Sequence, residues 1–284
     1  MDSRSTNNPP AHPAAHLHQS ADPQRLSDPH DPSRAIPIPQ ARRVRTPAGL
    51  DIPAWVANAM PQQASDHMKG LRQSASILDR RLQNPAMSAV LVLLSGDAGA
   101  DTRPDDAAVV LTHRATTLRS HAGQMSFPGG RVDPEDIDVV DTALREAEEE
   151  TGLNRATVTP LSVMDSIDIS RTGFAVHPVL AYWHEPHPLT AVDPGETESV
   201  LHVPIAELIA PENRIMVGFA GWQGPAFRVG DFVVWGFTGG VLNYLLEITG
   251  WAAEWDREEV HDLFATLEKS ANGENLITVK ERWR

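Results

Sequence analysis

The side chains best suited to chemistry lie in one stretch, HAGQMSFPGGRVDPEDIDVVDTALREAEEETGL, from His121 to Leu153. Near its end stand Arg145, Glu146, Glu149 and Glu150, followed by Gly152. On a helix of about 3.6 residues per turn, offsets of three and four share a face, so Glu146, Glu149 and Glu150 project together. Carboxylate oxygens are the hard ligands that divalent cations take, and Mg²⁺ in particular keeps several waters and bridges to substrate phosphates. Stacked like charges cost a bare helix about 0.2–0.5 kcal/mol per pair, and a bound cation is one reason to keep them. The other reading of an EAEEE run is a solvated helix face. Arg145, four residues before Glu149, is spaced to brace that carboxylate.

The elements that must position these groups are a loop and a helix. Val140, Ala143, Leu144 and Ala147 repeat with the helical period on a different side from the glutamates, which predicts one buried stripe and one acidic stripe. Gly152 supplies the helix stop. Gly129 and Gly130 permit a tight turn and let backbone approach a bound diphosphate or hold the helix start in place. Because no Gly-Lys-Ser/Thr follows them, they are not a P-loop.

Taken together, Gly130, Asp136, Arg145-Glu146, Glu149-Glu150 and Gly152 resemble the Nudix box of the diphosphate hydrolases, whose helix carries metal-binding glutamates. The general pattern places five residues between its glycine and a glutamate, then seven before Arg-Glu. Here five residues lead to Asp136 and eight more precede Arg145, which leaves the role of Asp136 open. Upstream, Leu118, Arg119, His121, Gly123, Gln124, Ser126, Phe127, Pro128, Gly129 and Gly130 are similar to the extra signature of the coenzyme A diphosphatase branch, which also has the longer spacing. The resemblance covers mainly Leu111 to Leu153.

Composition bounds the alternatives. A chain of 284 residues, 41% hydrophobic, can bury a sizeable core. A formal net charge of −14 argues against a general binder of nucleic acid or anionic membrane, since both demand basic patches. It does not exclude a phosphate substrate when a metal supplies positive charge. With no cysteine there is no disulfide, thiolate nucleophile or zinc–sulfur site. MDSRSTNNPP lacks the apolar core of a signal peptide, and no apolar run of about 18 residues appears, so the expected location is cytoplasmic.

Residues 1–45, rich in Pro, His, Ser, Asp and Gln, are expected to form a disordered tail, and 46–284 a single domain. From Ile52 to about Arg81 the spacing is helical, with Ser65 or Asp66 as a cap and Trp55 packed on the domain. Ser88–Ser95 and Ala107–Arg114 read as neighbouring strands, bringing Arg114 and Arg119 near the glycine loop. VTPLSVMDSIDI and FAVHPVLAYW read as a hairpin joined by SRTG. A short strand and a helix begun at Pro204 follow, then strands about Gly230-Asp231, a helix from about Thr238 to Ile248, and one amphipathic helix over DREEVHDLFATLEKS. Trp222, Trp235 and Tyr182 have faces that accept an adenine, although tryptophan is more often core.

The resemblance implies an α/β fold, an α/β/α sandwich with a mixed β-sheet. It implies Mg²⁺ or Mn²⁺ on Glu146, Glu149 and Glu150, with Glu149, Arg145 and Glu196 as catalytic candidates. Glu196 and Glu198 both stand where the family sometimes places an extra ligand or base. Arg119, His121, Gln124, Gly129 and Gly130 become the expected substrate contacts; for Arg119 a structural salt bridge is the competing role. The implied reaction is hydrolysis of the diphosphate of coenzyme A or its acyl or oxidised derivatives, giving 3′,5′-ADP and 4′-phosphopantetheine or its acyl form. The partner is then a nucleotide small molecule, with a homodimer allowed. Two further readings stay open: a Nudix hydrolase of another nucleoside diphosphate derivative such as ADP-ribose, and a ligand-binding regulator that performs no chemistry.

Overall fold

The computed structural model describes residues 44–45, 51–59, 87–164, 166–169, 174–277 and 279. The chain divides into two units, 1–36 and 37–284, and every described residue lies in the second. Residues 1–43 of the expected tail, and the helical stretch with Ser65 and Asp66, lie outside the described residues, whereas the last two residues of that tail, Val44 and Arg45, form a strand because Asp51–Ile52 pairs with them. Short strands β1 (Val44–Arg45) and β2 (Asp51–Ile52) pair with each other and lead into helix α1 (Ala54–Ala59).

The central strand β3 (Met87–Ser95) shows how the layers arise. In a strand successive side chains point to opposite faces. Leu91 and Leu93 join one apolar cluster, whereas Val92 and Leu94 join another. The first cluster is closed by Val139, Ala143 and Ala147 of helix α2 (Val139–Thr151). The second is closed by α1, by helix α3 (Ile205–Ile209) and by Val241, Leu242, Leu245 and Leu246 of helix α4 (Gly236–Ile248). A strand apolar on both faces demands cover on both, and that makes the α/β/α sandwich.

Strand β4 (Ala108–Arg114) pairs antiparallel with β3, as Leu94↔Val109 and Ser95↔Ala108. The short strand β5 (Met125–Ser126) adds to β4, and β6 (Gly129–Arg131) adds to β3. Strands β7 (Val158–Val163) and β8 (Ile167–Ile169) both run antiparallel to β9 (Phe174–Trp183), the expected hairpin with its first arm broken in two; its SRTG turn is outside the described residues. Strand β9 runs parallel to β3, Leu91 facing Val179, so the sheet is mixed. With β10 (Thr197–Pro204) on the far edge of β4 the path is β10-β4-β3-β9-β7.

A second sheet holds β11 (Arg214–Phe219), β12 (Trp222–Val229), β13 (Phe232–Val234) and β14 (Val260–Asp262). Here one expectation is corrected. DREEVHDLFATLEKS is not one helix: Val260–Asp262 pairs parallel with Met216–Gly218, and only Leu263–Glu268 is helical, as α5. Asp262 accepts a hydrogen bond from Ala265 N at 2.8 Å and so starts the helix there, while the free edge of β11 takes the residues before it.

Trp55 is 1% exposed and packs edge-on to Tyr182, whose hydroxyl donates to Gly96 O at 2.9 Å. Trp235 is also buried, its indole N–H donating to Glu274. Tyr182 and Trp235 are thus core residues, and the adenine-stacking role is withdrawn for both. Trp222 is partly buried against Trp235.

Candidate active site

Helix α2 is built to hold its charges in place. Asp138 caps it, its side chain accepting from Val140 N and Asp141 N at 2.9 Å each. Gly152 ends it with φ 71°, its N–H donating to Glu148 O. Between the caps, Ala143 and Ala147 are fully buried against β3 and β9, which turns the opposite edge toward β6 and the end of β4.

Arg145 is the hub of that edge. Its Nε and Nη2 grip the two oxygens of Asp136 at 2.8 and 2.9 Å, and Nη2 also donates to Arg131 O at 3.0 Å. Its Nη1 bridges Glu146 Oε1 at 3.0 Å and Glu149 Oε2 at 3.1 Å, so the expected brace on Glu149 is present and extends to Glu146. Asp136, whose role was open from the sequence, anchors the guanidinium. It also accepts from Thr142 Oγ1 at 2.7 Å and from Asp133 N at 2.8 Å. Burial alone would raise its carboxyl, but the hydrogen bonds from Arg145, Asp133 and Thr142 outweigh it and hold the group down at about 2.

The glycine pair touches the same carboxylates. Gly129 N donates to Glu150 Oε2 at 3.2 Å. A methyl on Gly130 would sit 2.4–2.5 Å from the carboxylate of Glu146, so that side chain lies directly across the glycine. A methyl on Gly129 would meet Ala89 O at 2.4 Å. Both glycines therefore serve the contact of β6 with β3 and with α2. The turn expected from the sequence is a short strand, because β3 offers a free edge to it.

Glu150 is buried, and Arg114 at the end of β4 approaches its Oε1 at 3.9 Å. Burial pushes the Glu150 carboxyl up to about 7; Gly129 N–H and Arg114 pull it down, while the charges of Glu146 and Glu196 push it up again. Burial likewise raises Glu146, opposed by Arg145. Glu196, exposed in the turn after Asp193, thus acts electrostatically on the same site. Glu198 is committed elsewhere: it accepts from Thr116 N at 2.8 Å and Thr116 Oγ1 at 2.7 Å and faces His113 Nδ1 at 3.4 Å.

Among the described residues, no group of three or more carboxylate, thiol and imidazole side chains is gathered so as to hold a metal ion as it stands. The cause is visible: Arg145 bridges Glu146 and Glu149, and Glu150 turns to Gly129 N–H. The donor chemistry nonetheless fits a hard divalent ion. Glu146 and Glu150 are crowded carboxylates held above their ordinary range, and a cation relieves that state. Arg114 Nε is buried with no hydrogen-bond partner among the described residues, a donor suited to an oxyanion.

The Nudix domain family matches residues 86–219, the span of this site. The Escherichia coli (strain SMS-3-5 / SECEC) protein named "Uncharacterized Nudix hydrolase NudL" is 32% identical over 173 residues, which cover 59% of this chain and 85% of that protein. The chain belongs to the Nudix hydrolase family. Two Arabidopsis thaliana relatives, "Nudix hydrolase 15, mitochondrial" and "Nudix hydrolase 22, chloroplastic", are 32% and 34% identical over 58% and 56% of this chain. The chain spans 59% and 53% of their lengths. The crystal structure of RenU, a Nudix hydrolase from M. smegmatis, covers 61% of this chain and 91% of its own at 21% identity, with a TM-score of 0.40.

Within this Nudix fold the other expected contacts fall on the loop between β4 and β5. Arg119 is exposed, with no ion pair among the described residues. His121, at φ 56°, places Nδ1 2.7 Å from Gln124 Oε1. Gln124 Nε2 donates to Glu274 Oε2 at 3.0 Å. Sequence reasoning placed Arg114 only near the loop and missed Glu274 altogether. Arg114 carried a usable signal, as a cation closing a strand beside the glycine pair; Glu274, 150 residues from Gln124, carried none.

Proposed function

We propose that this Nudix hydrolase cleaves the diphosphate of coenzyme A or its derivatives with the help of Mg²⁺ or Mn²⁺, releasing 3′,5′-ADP and 4′-phosphopantetheine or its acyl form. The observation that carries the reading is the convergence of the coenzyme A signature with the Nudix helix: Arg114 and Gly129, which bound that signature loop, both reach Glu150. A divalent ion held by Glu146, Glu149 and Glu150 would supply charge neutralisation and a more acidic water. The chain's own residues do the positioning. Asp136 holds Arg145, and Arg145 holds Glu146 and Glu149 in register. Arg114 stands where an oxyanion of the diphosphate can be met, and Glu196, exposed and felt electrostatically at Glu150, is the proposed base for the attacking water.

The test is a substrate panel with product identification. With Mg²⁺ present, coenzyme A is expected to yield 3′,5′-ADP, and Glu149→Gln or Glu150→Gln to abolish release. A strong preference for ADP-ribose would replace the substrate assignment, full activity in both variants would remove the ligand assignment, and calorimetric binding without turnover would make the chain a regulator.

A further inference from the structure

Behind the signature loop lies a buried polar chain that neither the Nudix helix nor the reaction uses. Residues Ala271–Glu274 run beneath the loop so closely that a methyl on Gly123 would stand 2.2 Å from Asn272 O. Asn272 is fully buried. Its Oδ1 accepts from Val233 N at 2.8 Å and its Nδ2 donates to Val233 O at 2.9 Å, so its amide cannot be turned over. Its Nδ2 then also donates to Glu274 Oε1 at 3.0 Å. The indole of Trp235, which can only donate, reaches the same oxygen at 2.7 Å.

Glu274 thereby accepts at both oxygens, and the remaining one, Oε2, takes Gln124 Nε2 at 3.0 Å. With Glu274 ionised, as three hydrogen-bond donors around it favour, that bond sets the amide of Gln124: nitrogen faces Glu274, oxygen faces outward. The outward oxygen lies 2.7 Å from His121 Nδ1, so the proton of that contact belongs to Nδ1 of the imidazole. His121 itself is a non-glycine residue held at φ 56°, a conformation that needs support from its surroundings.

We propose that Glu274 is a positioning residue for substrate recognition: through Gln124 it fixes the orientation and the Nδ1-protonated form of His121 in the signature loop. This rests on the reading of that loop as the substrate-contacting segment. The polarity of the chain can be reversed without changing its shape. In Glu274→Gln the new amide oxygen still accepts from Trp235 and Asn272, so its NH₂ faces Gln124. Gln124 must then turn over, offer NH₂ to His121, and leave Nδ1 as an acceptor. In the double variant Glu274→Gln/Gln124→Glu every donor again meets an acceptor, and His121 regains the proton on Nδ1.

The measurement is ¹⁵N–¹H correlation spectroscopy of the full chain labelled at histidine, at about pH 8, where an ordinary imidazole is neutral, with His121 assigned by loss of its signals in His121→Ala. The expected result is Nδ1–H in the natural chain, Nε2–H in Glu274→Gln, and Nδ1–H again in the double variant. KM for coenzyme A should rise about tenfold in Glu274→Gln, the worth of one charge-assisted hydrogen bond, with kcat nearly constant; the double variant, which alters Gln124 itself, is read by its tautomer alone. An Nδ1–H signal that survives in Glu274→Gln overturns the relay, and a tautomer switch that leaves KM unmoved overturns the role in recognition. Because the tautomer is read without substrate, failure of the coenzyme A assignment would show separately, as absent turnover in the natural chain.

Discussion

Gly129 and Gly130 are adjacent, but alanine should do different things at each. At Gly130 a methyl would lie 2.4 Å from Glu146 Cδ, against the 3.4 Å where ordinary contact begins, so the carboxylate must retreat by 1.0 Å. The obstacle is the tip of a flexible side chain, which can move. Its retreat weakens the 3.0 Å bond from Arg145 and strains a rotamer, at about 1–3 kcal/mol together. Replacing a strand glycine returns about 0.5–1 kcal/mol of that. The fold should survive with a net loss near 1 kcal/mol, but a 1 Å misplacement in a reacting constellation costs about 10²-fold in rate. At Gly129 the obstacles are Ala89 O at 2.4 Å and Val90 Cα at 2.6 Å, both backbone of β3, and φ is 156°. Relief there requires breaking β6 from β3, a loss above about 4 kcal/mol. Urea unfolding and an assay of the proposed Mg²⁺-dependent hydrolysis of coenzyme A separate the two. Gly130→Ala should keep its midpoint within about 1 M of the natural chain while losing activity and Mn²⁺ affinity by paramagnetic resonance; Gly129→Ala should lose the cooperative transition. Natural rates in Gly130→Ala would refute the placement of Glu146, and an unshifted midpoint in Gly129→Ala would refute the close strand contact.

Other outcomes follow from the same edge of α2. The Asp136 carboxyl is lowered from 3.8 to about 2 in the folded chain, so it stabilises the fold above the unfolded value and loses that contribution as pH falls through about 2. The shift corresponds to about 2 kcal/mol, so Asp136→Asn should lower unfolding stability by about that much at neutral pH. The deficit should shrink toward zero in acid; a deficit independent of pH would contradict it. Arg114→Met, which removes the cation 3.9 Å from Glu150, should raise KM for a diphosphate substrate more than it lowers stability, and unchanged kinetics would remove Arg114 from the site. Asp138→Ala strips two hydrogen bonds from the helix start and should cost about 1 kcal/mol in thermal unfolding with substrate specificity unaltered.

Much of this protein was written locally. The helix Val139–Thr151, its apolar stripe, its glycine stop and the Arg145–Glu149 brace all follow from a repeat of three and four residues, because a helix joins only near neighbours in sequence. The runs around β3 and β4 announced strands by their unbroken apolar character. Other features needed partners that no local pattern names. Residues Val260–Asp262 carry helical spacing yet extend, because β11 has an edge to fill. Asp136 gained its role only when the loop folded back over Arg145. Glu150, one more carboxylate in an acidic run, became distinct from Glu149 by burial, since removal from water is what lifts its proton affinity. Glu274 could not be connected to Gln124 from the sequence at all. Spacing along the chain chose the helix and its charges; which of those charges are dry, and what they touch, was decided by the sheet that closes over them.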